Sequence, residues 1–357
     1  MKKIIHISSI ASSFINMADL EQISVQELMK TKIHEIPQKY VIDQEPAMAS
    51  ESSVPIVDMK SFFSSAEAKA WELEKFHSAC KEWGIFQLVN HGLEASLLER
   101  LRREIQEFYA LPLEERLKYR IRAGEFEGYG QHLLQNSGDQ KVDWADRFYM
   151  ITNPIRRRKP HLFPELPDSL RESLEGFISE LQKLAKALLG LVAEALKIDI
   201  KDIEEMFEDG MQSVRMNYYP PCPEPDKVIG LTPHSDGSGL TILLQVNGVE
   251  GLQIKKDGVW MPVKFLPEAL AVNLGDIVEV LSNGLYKSIE HRATVNSEKE
   301  RISIAMFCNP NFQANVGPSP ALLTHQTPIF KTMSMEEYVN GFFSRRLKGK
   351  FLDTMRI

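Results

Sequence analysis

The chain has 357 residues, 43% of them hydrophobic and 25% charged, which is the composition of an ordinary globular protein. A net charge of −7 and a pI near 5.8 argue against nucleic acid as a partner, because phosphate binding needs a basic face. Three cysteines without a C-x-x-C pair support neither a disulfide framework nor a zinc ribbon, and no apolar run approaches the ~18 residues of a membrane span.

Met1 to Ile7 carries a faint basic-then-apolar pattern that His6 and the following serines break, so a cytoplasmic protein is expected. Residues 1–16 read as a disordered extension ahead of an alternative start at Met17, and residues 1–50 as an N-terminal extension with one short helix. Ser24 with Glu27 three residues on is an N-cap signature for that helix. Val54–Asp58 predicts a first strand with a proline at its edge. Apolar positions at helical spacing predict a helix over 66–83, ended by Gly84. Ile85–Asn90 reads as a buried strand closed by His91-Gly92, and a second helix is expected over 95–109, then a helical turn after Pro112. From Arg122 to Lys141 the chain is rich in Gly, Gln and Asn, which predicts a loop near a site. Asp143–Met150 is strand-like, and Arg156–Lys159 reads as a solvated basic loop. A leucine stripe predicts a long packing helix over 169–196.

After Gly210 short strand patterns recur at 212–219, 228–233, 239–245, 250–255, 259–264, 269–273, 277–281, 286–296 and 301–309. Asn247-Gly248, Asp257-Gly258 and Asn283-Gly284 between them are hairpin turn signals. Such a run of antiparallel strands predicts a jelly roll or barrel. A final helix is expected from Ser334. The boundaries expected are 51–205 for an N-terminal region of helices and edge strands, 206–312 for the β core and 313–357 for a C-terminal helical tail.

The β region holds the chemistry. His234 and Asp236 stand two apart, so on a strand both point to one face. With His291 delivered by the fold they make two imidazoles and a carboxylate, the facial triad of non-haem Fe(II) oxygenases. H-x-D alone is a common coincidence. Arg301-Ile302-Ser303, ten residues after His291, adds a guanidinium and a hydroxyl on one strand face, which suits a carboxylate. Asn217 and Tyr219 share another face and could hydrogen-bond a small diacid. A zinc hydrolase using the same His/Asp/His set would have no need of the Arg-x-Ser pair. A non-catalytic binding protein would have no need of Asp236.

The run Trp83–Gly92, the run Asn217–Pro223, His234-Ser235-Asp236, His291-Arg292-Ala293 and Arg301-Ile302-Ser303 together resemble the plant 2-oxoglutarate/Fe(II)-dependent dioxygenases. Asp143–Asp146 and Lys159–Phe163 resemble most closely the group of alkaloid O-demethylases, senescence-related and norcoclaurine-synthase-like proteins. The resemblance implies an α+β fold, mainly β: a distorted double-stranded β-helix (jelly roll) with an N-terminal helical layer and a long bracing helix. It implies Fe(II) on His234, Asp236 and His291, and 2-oxoglutarate on Arg301 and Ser303 with Tyr219 and Asn217 assisting. Ascorbate is the expected reductant. His91 is a family landmark that reads as structural. The implied partners are O2 and an aromatic small molecule, with no nucleic acid or membrane and a monomeric state. Leu133, Leu134, Phe148, Met150, Phe307, Phe342 and Phe343 are the expected substrate lining. The implied reaction is O-demethylation of a methoxylated alkaloid or phenolic, or hydroxylation of a flavonoid or other phenolic.

Overall fold

The computed structural model describes residues 24–31, 33, 35–42, 54–131, 141–344 and 350–357. In chain order its main strands are β1 (Ile56–Asp58), β2 (Ile85–Val89), β3 (Gly128–Gly130), β4 (Asp146–Asn153), β5 (Gln212–Tyr219) and β6 (Leu231–His234). They continue with β7 (Leu240–Gln245), β8 (Leu252–Lys256), β9 (Val259–Pro262), β10 (Leu270–Leu274), β11 (His291–Ala293) and β12 (Arg301–Cys308). The larger sheet runs β1-β2-β10-β7-β12-β5-β4-β3 and the smaller β6-β11-β8-β9. Only β1 and β2 pair in parallel among these strands; the other ladders are antiparallel. This is the expected jelly roll.

Strict alternation divides the larger sheet into two faces. Phe148, Met150, Val214, Met216, Ile302, Ile304 and Met306 pack in one hydrophobic core with the helices Ala66–Glu82, Ala95–Ala110 and Asp168–Leu196. Residues between them on each strand face the barrel interior. The long helix begins after Pro167 and buries Leu170, Leu174, Phe177, Leu181, Leu184, Leu188, Val192 and Leu196, the stripe read from the sequence. Each such leucine gains ~1.5–3 kcal/mol from burial, against the entropy of ordering it.

Two expectations change. Residues 277–281 form a helix, Asp276–Leu281, buried on all sides. A five-residue apolar run has no periodicity that separates strand from buried helix, and here Gly275, packed on Ser238, starts the helical turn. β1 to β4, all N-terminal to residue 206, form the two edges of the sheet whose centre is β10, β7, β12 and β5. The second change is that the basic run is tethered: Arg156 to Asp209, Arg158 to Glu175, Lys159 to Glu125, and Arg157 stacked 4.3 Å from the Phe312 ring. Among the described residues no helix is long and apolar enough to cross a membrane.

Candidate metal and co-substrate site

His234 ends β6 and His291 begins β11, and the two are register partners in one antiparallel ladder. Asp236 follows on the turn leaving β6. Its Oδ1 lies 3.5 Å from His234 Nε2 and 3.8 Å from His291 Nε2. Two donors held by one transition-metal ion at ~2.1 Å each can be at most ~4.2 Å apart, so both separations fit a single ion. Among the described residues this is the one such group of His, Cys, Asp or Glu, with its ligand atoms within 4.8 Å of one another.

The imidazoles are oriented from behind. His234 Nδ1 faces the Thr232 carbonyl at 2.8 Å and His291 Nδ1 the Ile289 carbonyl at 3.2 Å. A proton on each Nδ1 leaves the Nε2 lone pair for a metal. Asn273 Nδ2 donates to Asp236 Oδ2 at 2.7 Å, leaving Oδ1 toward the imidazoles. Burial pushes the Asp236 carboxyl up, but His291, His234 and Asn273 outweigh it and hold the group well below the usual carboxylate range. Burial, with His234 alongside, brings His291 down to about 4. A carboxylate and neutral imidazole are the forms that bind metal. The turn carrying Asp236 is pinned. Asp276 N donates to the Asp236 carbonyl at 2.8 Å, and a Cβ on Gly237 would sit 2.7 Å from the Phe342 ring.

Arg301 and Ser303 on β12 are the register partners of Tyr219 and Asn217 on β5, so the four predicted co-substrate residues meet on one face. The buried Arg301 guanidinium lies 5.1 Å from the Tyr219 ring centre, and its Nε and Nη2 have no hydrogen-bond partner. Burial lowers its pKa, with Tyr219 opposing. Asn217 Nδ2 donates to Ser303 Oγ at 3.3 Å. A buried guanidinium with free donors is costly unless an anion meets it, and a carboxylate fits its planar fork. The donor set therefore suits both a divalent ion and a dicarboxylic co-substrate.

A cavity of about 430 Å³ opens beside this floor, with His234, Asp236, Tyr149, Phe307, Val339 and Phe342 in its walls. Phe307 and Phe342 are where the sequence placed them. Phe148 and Met150 are not: both are fully buried on the opposite face of β4, with Phe148 stacked on Phe108 at 5.3 Å. A strand cannot show adjacent residues to one side, and on β4 the cavity receives Arg147 and Tyr149 instead. Leu133 and Leu134 lie outside the described residues, as does the Phe343 side chain. His91 is structural: Nε2 meets the Glu268 carbonyl at 2.9 Å, and Nδ1 accepts from Leu93 N at 3.2 Å.

Asn273, Thr232, Asp143, Arg147 and Arg215 are site residues that the sequence reading passed over. The Asp143–Asp146 motif held part of the signal. Asp143 Oδ1 accepts from Thr232 N and Oγ1 at 2.9 and 2.6 Å, which fixes the residue whose carbonyl orients His234. Trp144 packs edge-on to Tyr40 at 5.0 Å and donates to the Pro220 carbonyl at 3.2 Å. Asp146 accepts from Val25 N at 2.8 Å and so fastens the short helix Val25–Lys30 to β4.

Residues 210–310 match the family model described as the 2OG-Fe(II) oxygenase superfamily. Residues 54–166 match the model for the N-terminal part of a non-haem dioxygenase in morphine synthesis. The chain is 52% identical to Protein SRG1 of Arabidopsis thaliana, over 94% of this chain and 96% of that one. It is 49% identical to oxoglutarate-dependent flavonoid 7-O-demethylase 1 of Ocimum basilicum, over 95% and 92%. A crystal structure of JOX2 in complex with 2OG, Fe and JA superposes with a TM-score of 0.85 at 33% identity, covering 94% of this chain and 98% of that one.

Proposed function

The chain belongs to the 2OG-Fe(II) oxygenase superfamily, and from that premise we propose that it O-demethylates a methoxylated aromatic small molecule. As a member it is an oxidoreductase that uses Fe(II), 2-oxoglutarate and O2. In our reading His234, Asp236 and His291 hold the iron. Arg301 and Ser303 receive the far carboxylate of 2-oxoglutarate, flanked by Tyr219 and Asn217. When bound, iron and 2-oxoglutarate couple decarboxylation to succinate and CO2 with hydroxylation of a substrate C–H. On an O-methyl carbon the hydroxylated product is a hemiacetal, which releases formaldehyde and leaves the free hydroxyl.

The protein's part is placement. Asn273 occupies Asp236 Oδ2 and keeps the carboxylate from rotating. Tyr149, Phe307 and Phe342 offer flat apolar walls that hold an aromatic ring and exclude water. Demethylation is favoured over ring hydroxylation because the 49% identical relative is named for flavonoid 7-O-demethylation and the N-terminal match for morphine synthesis. We read the protein as a cytoplasmic monomer, kept ferrous by ascorbate. The observation that carries the proposal is the metal-fitting triad and the unpartnered Arg301 beside an aromatic-walled cavity.

The test is anaerobic reconstitution with Fe(II) and 2-oxoglutarate, then exposure to air with a panel of methoxylated alkaloids and flavonoids. Formaldehyde in step with succinate supports demethylation. Product carrying an added oxygen, with no formaldehyde, assigns hydroxylation instead.

A further inference from the structure

One wall of the larger cavity carries two guanidiniums with no part in the metal or co-substrate reading. Arg147 on β4 opposes Asn217, and Tyr149 opposes Arg215 on β5, so the two arginines are diagonal neighbours on the cavity face. Diagonal positions are ~7–8 Å apart, within reach of long side chains. The Nε of each is buried without a hydrogen-bond partner, and among the described residues neither forms a salt bridge. Arg215 rests 5.5 Å from the Phe307 ring centre, which tethers its plane.

The carboxylate facing them is Asp143, whose Oδ1 already receives two bonds from Thr232. Nearby Lys141 turns its ammonium to the Gln38 carbonyl at 2.8 Å. Burial, then Arg215, brings Arg147 down to about 9, with Asp143 opposing. At the floor, Asp236 and the two carboxylates of 2-oxoglutarate would offset the ion and Arg301, leaving nothing there to neutralise this pair. Two like charges in a cavity that dries when filled are unfavourable unless the ligand brings the opposite charge.

We propose that the substrate carries an acidic oxygen group, a carboxylate or an ionised phenol, that docks between Arg147 and Arg215 with its ring against Phe307. The inference rests on the cavity being the substrate site, as in the proposed function. Arg215 also lines the small hollow around Arg301, so Arg147 is the discriminating residue.

The probes are 6-methoxy-2-naphthoate, 6-methoxy-2-naphthol and the neutral 6-methoxy-2-naphthamide. Their fluorescence is titrated anaerobically against full-length protein loaded with Fe(II) and 2-oxoglutarate. The expected result is that the naphthoate or the naphthol binds at least about tenfold tighter than the amide, the scale of one charge-assisted hydrogen bond. Which of the two binds tighter tells carboxylate from phenol. Arg147→Gln should reduce the preference to under about threefold, and Arg147→Lys should restore part of it, with the 2-oxoglutarate Kd unchanged in both. Equal affinity for all three probes, no saturable binding of either acidic probe, or an undiminished preference in Arg147→Gln overturns the inference. On admitting air, an acid preference without formaldehyde keeps this inference and removes demethylation. Formaldehyde at equal efficiency from all three probes does the reverse.

Discussion

At the cavity floor, the polar side chains other than Asp236, which Asn273 holds, are served by near neighbours in sequence or directly across one ladder. His234 leans on Thr232, His291 on Ile289, and Arg301 and Ser303 sit opposite Tyr219 and Asn217. The cavity walls are assembled differently, from β4, β5, β12 and the helix Met335–Ser344, segments far apart in the chain. Strand spacing together with strand pairing fixes the floor, so a substitution there should remove function outright. Tertiary packing sets the walls, so substitutions there should shift which molecule binds and how tightly.

The largest effect should come from Asp236→Ala. Without the carboxylate, 2-oxoglutarate turnover should fall by about a thousandfold or more, in the range seen when a group essential to a catalytic unit is removed. Fe(II) binding in equilibrium dialysis should fall with it, while circular dichroism stays native. Retained iron binding would mean that floor and walls are not distinct. Phe148→Ala sharpens the contrast on β4. It should cost about 3–5 kcal/mol of stability in denaturant unfolding, as for other buried aromatics. Activity per folded molecule should stay near wild type, since Phe148 faces the helices. A selective change in substrate KM would return it to the cavity.

Phe342→Ala acts on a wall. Its ring packs over Gly237 and lines the cavity, so substrate KM should rise about tenfold, the value of a partly lost aromatic contact. Iron affinity should change little, because the Asp276 amide still holds the Asp236 turn. The smallest effect concerns Asp276, which joins the two regions: its amide holds the Asp236 turn and its carboxylate accepts from Tyr338 of the C-terminal helix at 3.2 Å. Burial raises the group to about 6, against nearby Ser288 and Ser235, which lower it. With the folded pKa above the unfolded value, its contribution is fully present below about pH 4 and is lost as pH rises through about 6. Relative to Asp276→Asn, the wild type should therefore lose about 1–2 kcal/mol between those limits in thermal unfolding. Parallel pH profiles would contradict this.

The same contrast explains what could be read in advance. His-x-Asp, the later His and Arg-x-Ser are residues whose geometry follows from two-residue strand spacing, and the structure brings them together as expected. The long helix was legible from its stripe for the same reason. The helix Asp276–Leu281 was not, because a short run buried on every side has no polar face to mark its period. The family resemblance puts Phe148 and Met150 in the cavity, yet both pack on the buried outer face of the sheet. Arg147 and Tyr149, between and beside them, were the cavity residues. Asn273, the donor that orients Asp236, comes from a strand pairing that no local pattern announces.

The most direct test of the division between floor and walls is the affinity of 2-oxoglutarate for the Fe(II)-loaded protein, measured anaerobically by calorimetry. Arg301→Gln should weaken it about a hundredfold, the cost of removing one side of a buried charge pair. Phe342→Ala should leave it within about twofold of wild type. Equal losses in both variants, or an unchanged affinity in Arg301→Gln, would contradict the account.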